Sequence, residues 1–450
     1  MITSTIGKIF LEAYNKKYST DYDAKTFFVK VYYPLFFDSN KYLQWVQNSP
    51  FVQMKKGQKV ETLTQIERKE KLQDFITKVE NCKVPDASIA LGYPASEEKE
   101  FATTSGQVTN IQLKTTPDDI YLSWFGASLG IGMEGGYLLL SEKRVLLDLF
   151  EGFSFYRKYL NENDKLRGNQ VSAWNGQWLA HRYDKVSYDE EQPLAGFDPF
   201  QTTSEGMGIA TLSWTKILIK IAKAFTKTNL LGYFYGFNPK NKLPITMGFI
   251  PINLEGIKRL VDLYQKFFGM DNEDEKAEKL WGSEYGLKGS CKNGVIGVKS
   301  MQPEGLKPYM TASKDKEVKL PKYDDKHKIS FHTYQIWLLA MLNNQELWDK
   351  SQEFAKALQT YVKKDKQNST KRENLVKNIL SAATKKSFIA ALSEIAKDVE
   401  AFDKIEENAK TVNVMPTDNV PYYLTLIRFH YAGLENKNNQ QGKNLFNQNV

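Results

Sequence analysis

The sequence predicts a mainly α protein of the α+β class. It has a helical N-terminal module, a mixed α/β middle with a β-hairpin near 231–252, and a C-terminal helical bundle. Three observations predict it. Apolar residues recur three and four positions apart along most of the 450 residues, the spacing that lines one helix face. The aromatic run Leu231 to Phe237 meets the turn Asn238-Pro239-Lys240-Asn241, and Ile245 to Ile252 returns, the pattern of two strands and a turn. Beyond residue 328 the helical spacing continues almost throughout.

Taken in order, residues 1–82 form the helical module. Ile6, Ile9, Phe10 and Tyr14 mark a first helix. Phe27, Phe28, Val31 and Tyr32 start a second stripe, closed by Pro34, because proline removes a backbone donor and clashes with the preceding turn. Tyr42, Trp45 and Val46 suggest a short third helix before Pro50. From Glu61 to Asn81, Leu63, Ile66, Leu72, Phe75, Ile76 and Val79 line one side and charges cover the other.

Residues 83–300 form the mixed body. It opens with a polar, turn-rich stretch carrying one strand, Asn110 to Lys114. Pro117-Asp118-Asp119 starts a helix whose apolar stretch runs from Ile120 to Met133. A short buried strand is expected at Tyr137 to Leu140, then an amphipathic helix from Glu142 to Asn161. Residues 164–205 are expected to be irregular except for a helix across Ser172 to His181. A helix over Ile209 to Phe225, the hairpin and a helix over Leu254 to Phe268 follow, and the acidic loop Asp271 to Lys276 opens another helix. Residues 301–328, polar, lysine-rich and proline-containing, are expected to be a basic linker and domain boundary. The bundle occupies 329–433. Within it Phe388, Leu392, Ile395, Val399 and Phe402 step in a heptad-like stripe, short enough for bundle packing. Tyr422 to Tyr431 forms a last helix, and the Asn/Gln-rich tail 434–450 is expected to be disordered.

Composition bounds the function. Two cysteines, Cys82 and Cys291, exclude a disulfide framework and a Cys-rich zinc site. His181, His327, His332 and His430 form no HxxxH or HxxE pattern, so no metal and no other cofactor is expected, although acids assembled by the fold can still hold Mg²⁺. The first residues lack a basic segment and an apolar core, and no run reaches membrane-spanning length. The expected location is cytoplasmic, with no membrane partner. Net charge is +8. Between Lys314 and Lys386 there are 16 Lys and Arg against 9 Asp and Glu, an excess of 16 − 9 = +7. A local basic patch attracts phosphates; a lysine-rich solvated face is the alternative.

Each motif has a packing alternative. Gly130-Ile131-Gly132-Met133-Glu134-Gly135 matches GxGxxG, yet no βαβ unit surrounds it, so a Gly-rich bend between packed helices is expected. Glu142-Lys143 are adjacent, which on a strand points them to opposite faces, and Glu67-Arg68-Lys69 lies mid-helix; neither makes a nuclease signature. Asp324-Asp325 with His327 and His332 is a loose titratable group, and Cys291 follows a helix-end pattern. Trp174-Asn175-Gly176-Gln177-Trp178 puts two indoles on one helix face, with Arg182 a turn further on. Such rings can stack bases, or anchor the helix to the core. Lys363, Lys364, Lys366, Lys371, Arg372, Lys377, Lys385 and Lys386 can track a phosphate backbone without reading sequence.

The body ending near Met301, the basic junction Lys314 to Lys328 and the bundle containing Lys363 to Lys386 together resemble the large subunit of type I CRISPR surveillance (Cascade-type) complexes. The resemblance implies a non-catalytic subunit of a prokaryotic defence ribonucleoprotein that binds RNA or DNA and contacts protein partners. A metal-dependent nuclease and a protein–protein scaffold are the alternatives.

Overall fold

A computed structural model describes residues 2–46, 49–81, 115–204, 206–225, 229–237, 244–269, 274–310, 318–364, 368–396 and 402–447. The chain divides into two compact units, residues 1–254 and 255–450. The division lies at the start of the helix that follows the hairpin, ahead of the 301–328 stretch expected to be the boundary. The strand expected at Asn110 to Lys114 lies outside the described residues.

The first unit opens with α1 (Ile2–Tyr18). A continuous helical run follows: α2 (Ala24–Phe27), a π-turn (Phe28–Tyr32) and α3 (Tyr33–Phe36). Proline was expected to end this stripe, but the helix passes through it. The π-turn supplies the reason: it widens the helix just ahead of Pro34, whose missing N–H then falls in the first turn of α3. No helix forms over Tyr42 to Val46. That segment is strapped down instead, with Lys41 Nζ donating to the carbonyls of Asn163, Asp164 and Leu166 at 2.8, 2.9 and 3.0 Å. Asn169 Oδ1 accepts from the Trp45 N–H at 2.7 Å.

Helix α4 (Gln65–Glu80) starts later than expected, at a capping box in which Thr64 and Glu67 bond each other's backbone N–H groups. Phe75 and Val79 are buried as expected, whereas Ile66 is 71% exposed and Arg68 is buried. The Arg68 guanidinium reaches the carbonyls of Ser39 at 2.6 Å and Val60 at 2.9 Å. Helix α5 (Pro117–Ser128) begins at a second capping box, Thr116 with Asp119, and crosses α1 at backbone contact. A Cβ at Gly7 would collide with the Leu122 carbonyl, and one at Gly126 with the Thr3 carbonyl.

Strands β1 (Ile131–Met133) and β2 (Gly136–Leu140) follow, then α6 (Lys143–Glu162) and α7 (Val171–Arg182). A small hairpin, β3 (Phe200–Thr203) with β4 (Gly206–Ile209), occupies part of the stretch expected to be irregular. Strand β3 has no apolar alternation, and the two alternating apolar residues of β4, Met207 and Ile209, are too few to mark a strand. Helix α8 (Trp214–Ala224) leads into the long hairpin, β5 (Asn229–Phe237) and β6 (Pro244–Asn253). The main sheet is antiparallel in the order β1-β2-β5-β6. Leu138, Leu140, Phe234, Ile250 and Ile252 are buried, while Tyr137, Leu231 and Phe249 on the opposite parity are exposed.

The second unit holds α9 (Leu254–Phe268, whose first residue belongs to the first unit), α10 (Asp274–Leu280), α11 (Gly286–Lys292), α12 (Lys328–Leu342) and α13 (Glu346–Lys363). These are followed by α14 (Ser369–Ser381), α15 (Lys385–Ala396), α16 (Phe402–Val414) and α17 (Val420–Asn447). The stretch expected to be a linker packs onto this unit. Met301, Leu306 and Val318 are buried, Tyr334 Oη donates to the Glu304 carbonyl at 2.6 Å, and Arg428 Nη1 to that of Tyr309 at 2.9 Å. Sparse apolar anchors decide its place, not its polar average. The backbone of α17 continues to Asn447, through most of the segment expected to be disordered. Of the heptad-like stripe, Phe388, Leu392 and Ile395 are buried on α15. Val399 lies outside the described residues, and Phe402 starts α16. Among the described residues no helix is long and apolar enough to cross a membrane.

Candidate nucleic-acid interface

The tryptophan pair belongs to the core of the first unit. Val171, Trp174, Trp178 and His181 repeat at helical spacing, and all four are buried. Trp174 stacks on Tyr156 at 5.0 Å between ring centroids, and Trp178 lies 5.0 Å from Phe155. Base stacking needs an exposed ring face, so the alternative of core anchoring is the one observed. The residues between the indoles are equally occupied. Asn175 Nδ2 donates to the carbonyls of Ser128 and Gly130 at 2.8 and 2.9 Å. Gly176 admits the backbone of Gly132, where a Cβ would come within 2.6 Å of the carbonyl oxygen. The GxGxxG match is thereby explained. Its middle glycine lets β1 lie against α7, and Gly135 takes a left-handed conformation, φ 97°, in the β1–β2 turn. The expected bend between helices is therefore a strand and a hairpin turn.

Arg182 is also spent internally. Its Nε lies 3.2 Å from Asp148 Oδ1 and its Nη2 3.5 Å from Glu151, and its guanidinium covers the Tyr188 ring at 5.0 Å. Asp148 is buried and accepts from Tyr183 Oη at 2.8 Å. The Asp148 carboxylate pushes the Tyr183 phenol up, secondary to burial. This cluster ties α6 to α7.

The basic segment divides by helix phase. On α14, Arg372, Val376, Ile379 and Leu380 form the inward stripe, so Arg372 points toward the bundle. Its guanidinium lies over the Tyr361 ring at 4.6 Å and donates to the Tyr361 carbonyl at 3.0 Å. On α15, Lys385 shares the face of Phe388 and Leu392, and its Nζ donates to the carbonyls of Asn413 and Met415 at 2.7 and 3.3 Å. It satisfies the C-terminal end of α16. Lys363, Lys364, Lys371, Lys377 and Lys386 are exposed; Lys366 lies outside the described residues. Elsewhere on α13, Glu353 pairs with Lys404 of α16, which also pairs with Glu407 of its own helix, and Lys350 lies 3.7 Å from Glu407. Exposed lysines therefore stand on both sides of α14 in the chain, Lys363 and Lys364 at the end of α13 and Lys386 at the start of α15, with Lys371 and Lys377 on α14 itself.

The other candidates separate. His327 Nδ1 contacts Asp324 Oδ1 at 2.7 Å on the surface, and this hydrogen bond holds the Asp324 carboxyl below its usual range. His332 instead stacks on Phe268 at 3.7 Å. Burial pushes the Cys291 thiol up to about 11, the wrong direction for a nucleophile. Among the described residues no three His, Cys, Asp or Glu side chains gather as a metal site. An open cleft of about 250 Å³ is lined by Glu255, Lys258, Arg259, Asp262, Lys266 and Gln345. Two of its three cations are engaged: Arg259 bonds Asn343 and the Ala340 carbonyl, and Lys266 donates to Gln345 at 2.8 Å. Compared with protein-family models, curated proteins and solved structures, the chain matches none.

Proposed function

We propose that this chain is a non-catalytic, nucleic-acid-binding subunit, with its contact surface on α13, α14 and the start of α15. One observation carries the reading. Five ammonium groups, Lys363, Lys364, Lys371, Lys377 and Lys386, are exposed in the segment that holds most of the chain's charge excess. Concentrated positive charge on one surface releases counterions from a phosphate backbone when it binds, which supplies affinity that falls steeply with salt. Membership of a prokaryotic defence ribonucleoprotein of the CRISPR type, with protein partners, rests on the order of the parts and belongs to the same proposal.

The test uses the purified full-length chain with labelled single-stranded RNA, single-stranded DNA and duplex DNA. Binding that weakens steeply between 50 and 200 mM salt, with substrates left intact in the presence of Mg²⁺ or Mn²⁺, is the expected result. No binding at low salt would overturn the reading. Metal-dependent cleavage would replace it with the nuclease alternative.

A further inference from the structure

We infer that the α13–α15 surface holds nucleic acid by its phosphates alone and is blind to base identity. This rests on the nucleic-acid reading above and specifies what that surface recognises.

Sequence is read in two ways: planar forks and amides that match base edges in a groove, and aromatic faces on which unpaired bases stack. Residues 346–396 contain four aromatic side chains, Trp348, Phe354, Tyr361 and Phe388, and all four are buried. The segment has one arginine, Arg372. Its fork is already used, stacked on Tyr361 and bonded to the carbonyl that α13 leaves at its end. Every ring and the one guanidinium are thus withdrawn into the bundle. What faces solvent is ammonium, a compact point charge on a flexible stem that takes a phosphate without planar, bidentate matching.

Besides Asn368, at the N-cap of α14, two exposed amides, Asn374 and Asn378, lie one turn apart on that helix. Among the described residues no hydrogen bond orients either side chain. Discrimination of a base by Asn needs both amide groups presented at a fixed angle, and an unpinned amide on an exposed helix does not present them so.

The spacing agrees. Helix α14 has 13 residues, so its ends are roughly 20 Å apart at about 1.5 Å per residue. Duplex DNA carries about one charge per 1.7 Å of axis. Lysines at the first turn and the middle of such a helix, Lys371 and Lys377, and at the start of the next, Lys386, meet phosphates in many registers of equal energy. No register is singled out, so no base sequence is.

The experiment measures affinity by fluorescence anisotropy for two 24-base-pair duplexes of unrelated sequence and for oligo-dT and oligo-dA of the same length. Salt is varied from 50 to 200 mM. The wild-type chain is expected to bind the two duplexes with dissociation constants within about threefold, and likewise the two single strands. Replacing Lys363, Lys364, Lys371 and Lys386 with Ala is expected to flatten the plot of log affinity against log salt. On a duplex the loss is about 0.9 per phosphate contact, so up to roughly 3.6 for four. Both duplexes should lose it equally. Gln at the same four positions, which keeps side-chain bulk, should act alike, and Asn374→Ala with Asn378→Ala should change nothing. A preference above tenfold for one sequence, erased by the asparagine or lysine variants, would overturn base-blindness and leave the function standing. Wild-type binding whose salt slope the lysine variants do not change would also overturn the inference, by placing the contact elsewhere. A wild-type chain that binds none of the four probes and no single-stranded RNA of the same length, or binds poly-glutamate in their place, would overturn the function itself.

Discussion

The buried and half-buried arginines show how individual residues are committed. Arg68, Arg157 and Arg428 each turn a guanidinium toward backbone carbonyls. Arg157 donates to Leu35, Lys41 and Phe36, and Arg428 to Leu380, Ala382 and Tyr309. Burial pushes the Arg157 and Arg428 guanidiniums down to about 10, which leaves both charged at neutral pH. The two indoles of α7 give a controlled comparison. Trp178 Nε1 donates to the Asp148 carbonyl at 2.7 Å, whereas Trp174 Nε1 is buried with no partner. Replacing each with Phe removes similar apolar area, but Trp178→Phe loses a made hydrogen bond to the Asp148 carbonyl, whereas Trp174→Phe removes a buried N–H that has no partner. Trp178→Phe is therefore expected to cost about 1–2 kcal/mol more stability than Trp174→Phe, read by urea denaturation. Equal losses would contradict the assignment. His430 provides a pH dependence. It packs edge-on against Trp348 at 4.5 Å and beside Gln335. Burial, with a smaller effect from Lys356, pushes its imidazole down to about 3. The folded state then resists a proton that the unfolded chain accepts below about pH 6.5. The stabilisation is fully present above that pH and is lost as pH falls from about 6.5 toward 3, at about 1.4 kcal/mol per unit. His430→Leu should flatten the stability profile between pH 6 and 4 relative to wild type; parallel profiles would show that His430 titrates normally.

At the scale of elements, phase and close approach decide more than composition. The inward stripe of α14 could be read from the order Arg372, Val376, Ile379, Leu380, and that of α15 from Lys385, Phe388, Leu392 and Ile395. That periodicity was the available signal that Arg372 and Lys385 are unlike their neighbours. Counting charge alone merged them with the exposed lysines. The α1–α5 crossing carried no such signal, because nothing local pairs Gly7 with Leu122 or Gly126 with Thr3. Gly126→Ala would improve intrinsic helix propensity by about 1 kcal/mol in an isolated helix. In the protein the added methyl has no room, so a net loss of about 1–3 kcal/mol is expected. A stabilised variant in thermal unfolding would show that the two helices do not meet at backbone contact.

For the whole molecule, two cores imply two cooperative units. The first is built around Phe27, Phe28, Phe36, Trp124, Phe125 and Trp174, the second around Trp337, Phe354, Leu424 and Ile427, all buried. Calorimetry of the full chain is expected to resolve two transitions. Gly126→Ala should lower one and Arg428→Met, which removes the guanidinium donors from the carbonyls of Leu380, Ala382 and Tyr309, the other. A single transition moved by both variants would show one cooperative unit. The sequence by itself determined the elements whose information is local: the capped start of α5, the long hairpin β5–β6, the amphipathic α6 and α9, and the concentration of charge before residue 386. A repeat of apolar residues or a Thr–Asp cap is complete within a few positions, so the chain states it without help. Only the tertiary structure decided the rest. Burial of Trp174 and Trp178, closure of residues 301–310 onto the second unit, and the helix passing through Pro34 depend on partners or local geometry that no spacing rule encodes. The same holds for the basic segment. Its charge was legible, but which cations remain at the surface depended on where the bundle placed Tyr361, Asn413 and Met415, whose carbonyls needed donors.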